Sequence, residues 1–167
     1  MTSAPLAVAE IHAARFPEHL DLVREMLREY QASLGVSLCF QNFEAELATL
    51  PGAYAAPSGC LLLAWADGQA LGCVGLRPLE PGLCEMKRLY LRPAARGQHL
   101  GRRLVQAICT VAKEAGYRAI QLDTLPGMTA ARGLYASMGF VPVPGYVFNP
   151  IQGTHFLALD LLAWQPA

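Results

Sequence analysis

Residues 84–101, CEMKRLYLRPAARGQHLG, decide how the rest of the chain is read. Cys84–Arg92 reads as a strand, and Pro93 breaks it. From Leu100 an apolar stripe (Leu104, Ile108, Val111, Ala112, Ala115) recurs with a period near 3.6, so a helix follows. Strand, glycine-bearing loop and helix start form a recognisable anion site. A helix start offers about four unpaired N–H groups and a partial positive charge. Gly97 and Gly101 carry no Cβ to keep a ligand away, and Arg96, Arg102 and Arg103 add forked donors. No Gly-Lys-Ser/Thr follows, so this is not a P-loop. No G-x-G-x-x-G is present, so it is not a Rossmann turn. Taken alone, the two glycines fit close packing at a helix start equally well.

Working outward, the preceding segments read as a meander. Cys60–Ala66 and Gln69–Leu76 are strands joined at Asp67-Gly68, a strong two-residue hairpin signal. Pro81-Gly82 turns the chain into Cys84–Arg92. Upstream, Leu6–His12 reads as a first strand. A helix runs from Pro17 to Leu34 on the spacing of Leu20, Val23, Met26, Leu27 and Tyr30, and stops at Gly35. A short helix over Phe43–Leu50 has Asn42 as its N-cap. Downstream come strand Arg118–Thr124, helix Thr129–Met138, strand Phe140–Val143 and strand His155–Leu161. No repeat, low-complexity tract or linker interrupts this order, which predicts one domain over residues 1–167. Its class is α/β, with a mixed, mainly antiparallel central sheet flanked by helices.

Composition limits the function. Net charge is zero, so bulk electrostatics give no case for a nucleic-acid partner. The distribution is uneven: nine of the 13 Lys and Arg residues lie between Arg77 and Arg118, with only three acids among them. Residues 1–50 hold seven acids against three arginines. This pattern fits a local anion site in mid-chain, though chance clustering of solvated charges gives it too. The chain is 53% hydrophobic, yet no apolar run approaches the roughly 18–20 residues of a membrane span. The start carries no basic segment and meets Glu10 early, so a cytoplasmic protein with no membrane partner is expected. Five cysteines without C-x-x-C spacing predict buried reduced thiols, no disulfide framework and no metal site.

A second stretch, ARGLYASMGF at residues 131–140, is a short helix running into a strand. Together the two stretches resemble the GNAT superfamily of N-acetyltransferases. The loop is similar to its Arg/Gln-x-x-Gly-x-Gly/Ala signature, and the later helix to its A-x-x-L-Y-x-x-x-G-F segment. The element order resembles that family along nearly the whole chain. The resemblance implies an acyltransferase that moves an acetyl group from acetyl-CoA, as cosubstrate, directly to a primary amine. The acceptor is a small molecule or peptide, and the chain is a monomer or homodimer. A non-catalytic CoA-binding or regulatory module on the same fold is the alternative.

By the same resemblance, Arg96, Gly97, Gln98, His99, Leu100, Gly101 and Arg102 would hold the CoA pyrophosphate. Leu89, Tyr90 and Leu91 would offer backbone groups to the pantetheine arm and acetyl carbonyl. Tyr135 matches the tyrosine that protonates the departing thiolate. Glu85, four residues before Leu89 on the strand lining the acetyl site, is the expected general base. It is equally placed to be an edge carboxylate paired with Lys87 or Arg118, and His155 and His12 are alternative bases. Two departures stand out. His99 replaces the middle glycine of the loop, so its side chain must turn outward. Met128 stands where an asparagine is frequent, seven residues before the tyrosine. Gly133, mid-helix, costs about 1 kcal/mol relative to alanine; close approach of the cofactor or a strand would explain it, and simple tolerance explains it equally well.

Overall fold

The computed structural model describes residues 8–166. The strands are β1 (Glu10–Ala13), β2 (Cys60–Ala66), β3 (Gln69–Glu80), β4 (Leu83–Leu91), β5 (Ala119–Thr124), β6 (Val141–Pro142) and β7 (His155–Asp160). The helices are α1 (Leu20–Leu34), α2 (Phe43–Ala48), α3 (Leu100–Glu114) and α4 (Thr129–Ser137). The strands form one seven-stranded sheet in the order β1-β2-β3-β4-β5-β7-β6. Every neighbouring pair is antiparallel except β4 and β5, which run parallel.

The expected α/β order is present, with local differences. Of the expected first strand, Leu6 and Ala7 lie outside the described residues, and β1 begins at Glu10. The Asp67-Gly68 hairpin forms with positive φ at both residues (52° and 75°), the geometry a tight two-residue turn demands. β3 runs four residues past Leu76, because it keeps pairing with β4 until Glu80 meets Leu83 across the Gly82 turn. Helix α1 starts at Leu20, three residues after Pro17. Asn42 precedes α2 but its side chain accepts no capping hydrogen bond; it sits at φ 54°, a left-handed conformation asparagine tolerates.

Alternation along the strands divides the core between two faces. On one face α3 sets Leu104, Ile108 and Ala112 against Leu76, Met86 and Leu122. On the other, Val23, Met26 and Leu27 of α1 and Phe43 and Leu47 of α2 cover Leu61, Leu63 and Cys73. Each such fully buried aliphatic contributes about 1.5–3 kcal/mol of transfer free energy. Cys73, Cys84 and Cys109 belong to these cores, and burial pushes each thiol up to about 12. Cys39 is exposed, which corrects the expectation that all five thiols are buried. Among the described residues no helix is long and apolar enough to cross a membrane.

Two irregularities position the site. First, β4 pairs with β5 only from Leu83↔Ala119 to Glu85↔Gln121, and beyond that the strands part. Second, Gly75↔Lys87 and Cys73↔Tyr90 are successive pairs, two steps on β3 against three on β4. One residue of β4 therefore bulges outward. It is Arg88, at φ 63°. Such a conformation costs about 1–3 kcal/mol and persists only where surroundings over-determine it. Here Arg88 forks onto both oxygens of Glu46 (3.0 and 3.1 Å) and donates to Gln41 at 2.7 Å. Its guanidinium also lies over the rings of Phe43 and Tyr30, 5.2 and 5.9 Å from their centroids.

Among the described residues, an added Cβ at Gly133 would meet no atom within 4 Å outside its own helix's backbone. Gly133→Ala should therefore stabilise the chain by about 0.5–1 kcal/mol, a rise of roughly 1–4 °C in Tm. Thermal melting checks this. A loss of acetyl-CoA response in that variant would show that a ligand uses the space.

Candidate active site

Where β4 and β5 part, two cavities run end to end, sharing Tyr30, Leu34, Leu89 and Met128. The larger, about 350 Å³, lies between Leu89–Leu91 of β4, Gly97 and Gly101 at the head of α3, and Ala131 and Leu134 of α4. The smaller, about 30 Å³, continues inward to Lys87, Asp123, Thr124 and Tyr135.

Of the loop read as an anion site, Arg96, Gly97 and Gly101 line the larger cavity. Gly97 sits at φ 81° and His99 at φ 59°, a tight path into the helix. His99 is exposed, turned outward as its position requires. Among the described residues, the N–H groups of Leu100, Gly101 and Arg102 meet no backbone acceptor; the helical ladder begins with Arg103 N–H on His99 O at 3.2 Å. Gly101 faces Leu91 and Leu134, whose methyls lie 3.6 and 3.7 Å from where a Cβ would stand. Arg96 donates to Leu91 O at 3.2 Å, and Arg102 to Ser137 Oγ on α4 at 2.6 Å. Arg103 instead reaches Ala9 O at 2.6 Å, so its guanidinium leaves the loop. Gln98 is exposed at the loop's outer surface. Past Glu85, the edge of β4 that faced β5 has no strand partner among the described residues, which leaves backbone groups near Leu89 and Tyr90 directed at the cleft. Met128 fills the wall with an apolar side chain, its sulfur 3.6 Å from Thr124 Oγ1.

Tyr135 packs its ring on Phe140, centroids 5.5 Å apart, and walls the smaller cavity. Burial, more than any neighbouring charge, pushes its phenol well above the ordinary tyrosine range. It therefore keeps its proton across neutral pH.

Glu85, the residue expected as general base, lies near the start of β4. It is fully enclosed, at the last register pair before the strands part, and lines neither cavity. Arg77 Nε donates to one oxygen at 2.7 Å and Tyr146 Oη to the other at 2.6 Å, with Lys87 Nζ at 3.9 Å. The carboxylate on the cavity wall is Asp123, absent from the sequence expectations. It accepts from Asn149 Nδ2 at 3.1 Å and faces Lys87 Nζ at 3.5 Å. Lys87 also donates to Gln41 at 3.1 Å, and burial pulls its ammonium below the ordinary lysine range against the opposing pull of Glu85 and Asp123. His12 pairs with Glu10 at the sheet edge, and His155 contacts Arg132 at 3.3 Å; neither lines the cavities.

Comparisons with known proteins agree with this geometry. The model of the acetyltransferase (GNAT) family matches residues 20–140. An uncharacterized N-acetyltransferase of Schizosaccharomyces pombe is 40% identical over 153 residues, covering 90% of this chain and 94% of that protein. An IAA acetyltransferase of Azospirillum brasilense is 33% identical over 122 residues, 72% of this chain and 77% of that one. Among solved structures, a GNAT-family acetyltransferase from Staphylococcus aureus superposes with a TM-score of 0.77 at 18% identity, over 92% of this chain and 99% of that chain. PaiA N-acetyltransferase from Thermoplasma acidophilum, solved with coenzyme A, gives 0.70 at 18% identity over 92% and 99%. With its matched region running from α1 through the loop at Arg96 to Phe140, the chain belongs to the acetyltransferase (GNAT) family.

Proposed function

We propose that the chain transfers an acetyl group from acetyl-CoA directly to a primary amine, as one N-acetyltransferase domain over residues 1–167. The observation that carries this reading is the parting of β4 from β5, which joins the open N-terminus of α3 to Tyr135 through one continuous cleft. The residues fit the donor's chemistry. Open N–H groups of Leu100, Gly101 and Arg102, with Arg96 nearby, suit a pyrophosphate. The free edge of β4 suits an extended arm bearing amides. Bound there, acetyl-CoA supplies an activated acyl thioester. Tyr135 holds a proton on its Oη for the departing sulfur. Free thiols and this cosubstrate fit a cytoplasmic setting. Sequence and zero net charge support neither a nucleic-acid nor a membrane partner, and no metal role is needed.

An amine arrives mostly as ammonium, so a group must take its proton. We assign that role to Asp123, which walls the smaller cavity, and give Glu85 the task of holding Arg77 and Tyr146 in place. The pH profile of turnover separates the two. Asp123→Asn should lose turnover near neutrality and recover as pH rises, because bulk solvent then supplies free amine. Glu85→Gln should show a defect of constant size at every pH. The opposite pair of profiles would return the base role to Glu85.

A further inference from the structure

Asp123 stands on β5 two residues beyond Gln121, where the pairing with β4 ends. Its side chain is 7% exposed, and among the described residues two side chains face its oxygens. Asn149 Nδ2 donates to Oδ2 at 3.1 Å. Lys87 Nζ stands 3.5 Å from Oδ1, beyond ordinary hydrogen-bond distance, and is held there by Gln41 Oε1 at 3.1 Å. The outer torsion of an aspartate is broad and soft, so its carboxyl points where its partners hold it. Asn149 is the partner that makes a hydrogen bond.

Asn149 is itself fixed. Its Oδ1 accepts from the Ile151 N–H at 3.0 Å, which decides that the amide turns its donor end to Asp123. Residues 143–154, the connection between β6 and β7, are anchored on both sides of it. Before it, Val143 N–H donates to Phe156 O at 2.9 Å, and a Cβ at Gly145 would stand 3.2 Å from the Phe156 ring. Tyr146 meets the same ring edge-on at 5.5 Å and donates to Glu85. After it, Thr154 Oγ1 donates to Ile151 O at 2.7 Å. Phe156 is the register partner of Asp123 on β7, so the two side chains share a face of the sheet. The ring that seats the connection therefore stands beside the carboxylate.

We propose that Asn149 is a positioning residue for the proton transfer assigned to Asp123: it occupies Oδ2 and leaves Oδ1 to take the proton of the incoming amine. The proposal deepens that assignment and rests on it. In the step concerned, an N–H bond of the ammonium breaks and its proton passes to Oδ1. The nitrogen keeps the electron pair that attacks the thioester carbonyl. Without the amide, the carboxyl is free to turn and close on the Lys87 ammonium, which takes the lone pairs the amine needs. The other titratable and charged groups around Asp123 are Glu85 and Arg88 behind Lys87, and the phenols of Tyr30, Tyr135 and Tyr146 on α1, α4 and this connection. Burial holds the three phenols above the ordinary tyrosine range, so they keep their protons around neutrality.

The test is a double-mutant cycle on the whole chain, with acetyl-CoA as donor. The acceptor is whichever of butylamine, putrescine and γ-aminobutyrate the parent turns over fastest. Asn149→Ala should lower kcat about tenfold near neutrality, the loss of one hydrogen bond to a charged group. KM for acetyl-CoA should stay unchanged, and the defect should shrink as pH rises, following the course of Asp123→Asn. In the Asp123→Asn background the same substitution should change kcat by less than about twofold, because the carboxylate it serves is gone. Asn149→Asp keeps an acceptor for the Ile151 N–H and loses only the donor, so it should lose at least as much turnover as the alanine variant. If Asn149→Ala melts well below the parent, Asn149→Asp carries the comparison. A side chain that merely holds the connection in place gives the reverse. Asn149→Asp then turns over like the parent, and Asn149→Ala costs the same in both backgrounds. Either result would overturn the proposal. An Asp123→Asn defect of constant size at every pH would overturn the base assignment beneath it, and is read from that variant alone. A parent chain that acetylates none of the three amines would remove the transfer reading, and the proposal with it.

Discussion

Gly101→Asp should leave the free protein folded and abolish the rise in Tm that acetyl-CoA produces. The residue stands in the first turn of α3, and an added Cβ would make only ordinary contact with Leu91 and Leu134. A carboxylate there complements the helix dipole, so the free chain should melt at the same temperature or slightly higher. The same charge faces the position proposed for the pyrophosphate and competes for its N–H groups. At a hundredfold excess over Kd, a ligand adds about 2.7 kcal/mol of stability, roughly 5–10 °C for a chain of this length. The whole of that shift should vanish. A folded variant with an undiminished shift would remove the loop from the account.

Tyr135→Phe should lower kcat on the order of 10²-fold or more, with acetyl-CoA affinity retained. Phenylalanine keeps the ring against Phe140 and removes only the proton. Because burial holds the phenol protonated well beyond neutrality, the loss should be nearly constant over the neutral range. Full activity would assign protonation of the thiolate to another group. A loss of binding would make Tyr135 a packing residue.

What the sequence disclosed was local. The strand, loop and helix around Pro93, the Asp67-Gly68 hairpin and the helix before Phe140 each follow from neighbours within a few residues. The site's missing parts come from afar. The bulge at Arg88 is held by Gln41, Phe43 and Glu46, more than forty positions upstream, and no periodicity in β4 announces it. Glu85 loses its open face to Tyr146, which arrives from a segment with no regular pattern. Asp123 was nearer to reach: alternation in β5 turns Ile120 and Leu122 to one core and Asp123 to the opposite face. Arg102 and Arg103 are adjacent in sequence, but a helix turns about 100° between them, so one stays at the loop and the other reaches Ala9.

The central claim is amine-dependent transfer at this cleft. It is tested by incubating the chain with acetyl-CoA and a panel of primary amines, following free thiol while mass spectrometry reads the amines. The account predicts thiol release that requires an amine, matched by acetylation of that amine. Acetyl-CoA that stabilises the chain with no amine-dependent thiol release across the panel would contradict it, and would make the protein a CoA-binding module without transfer.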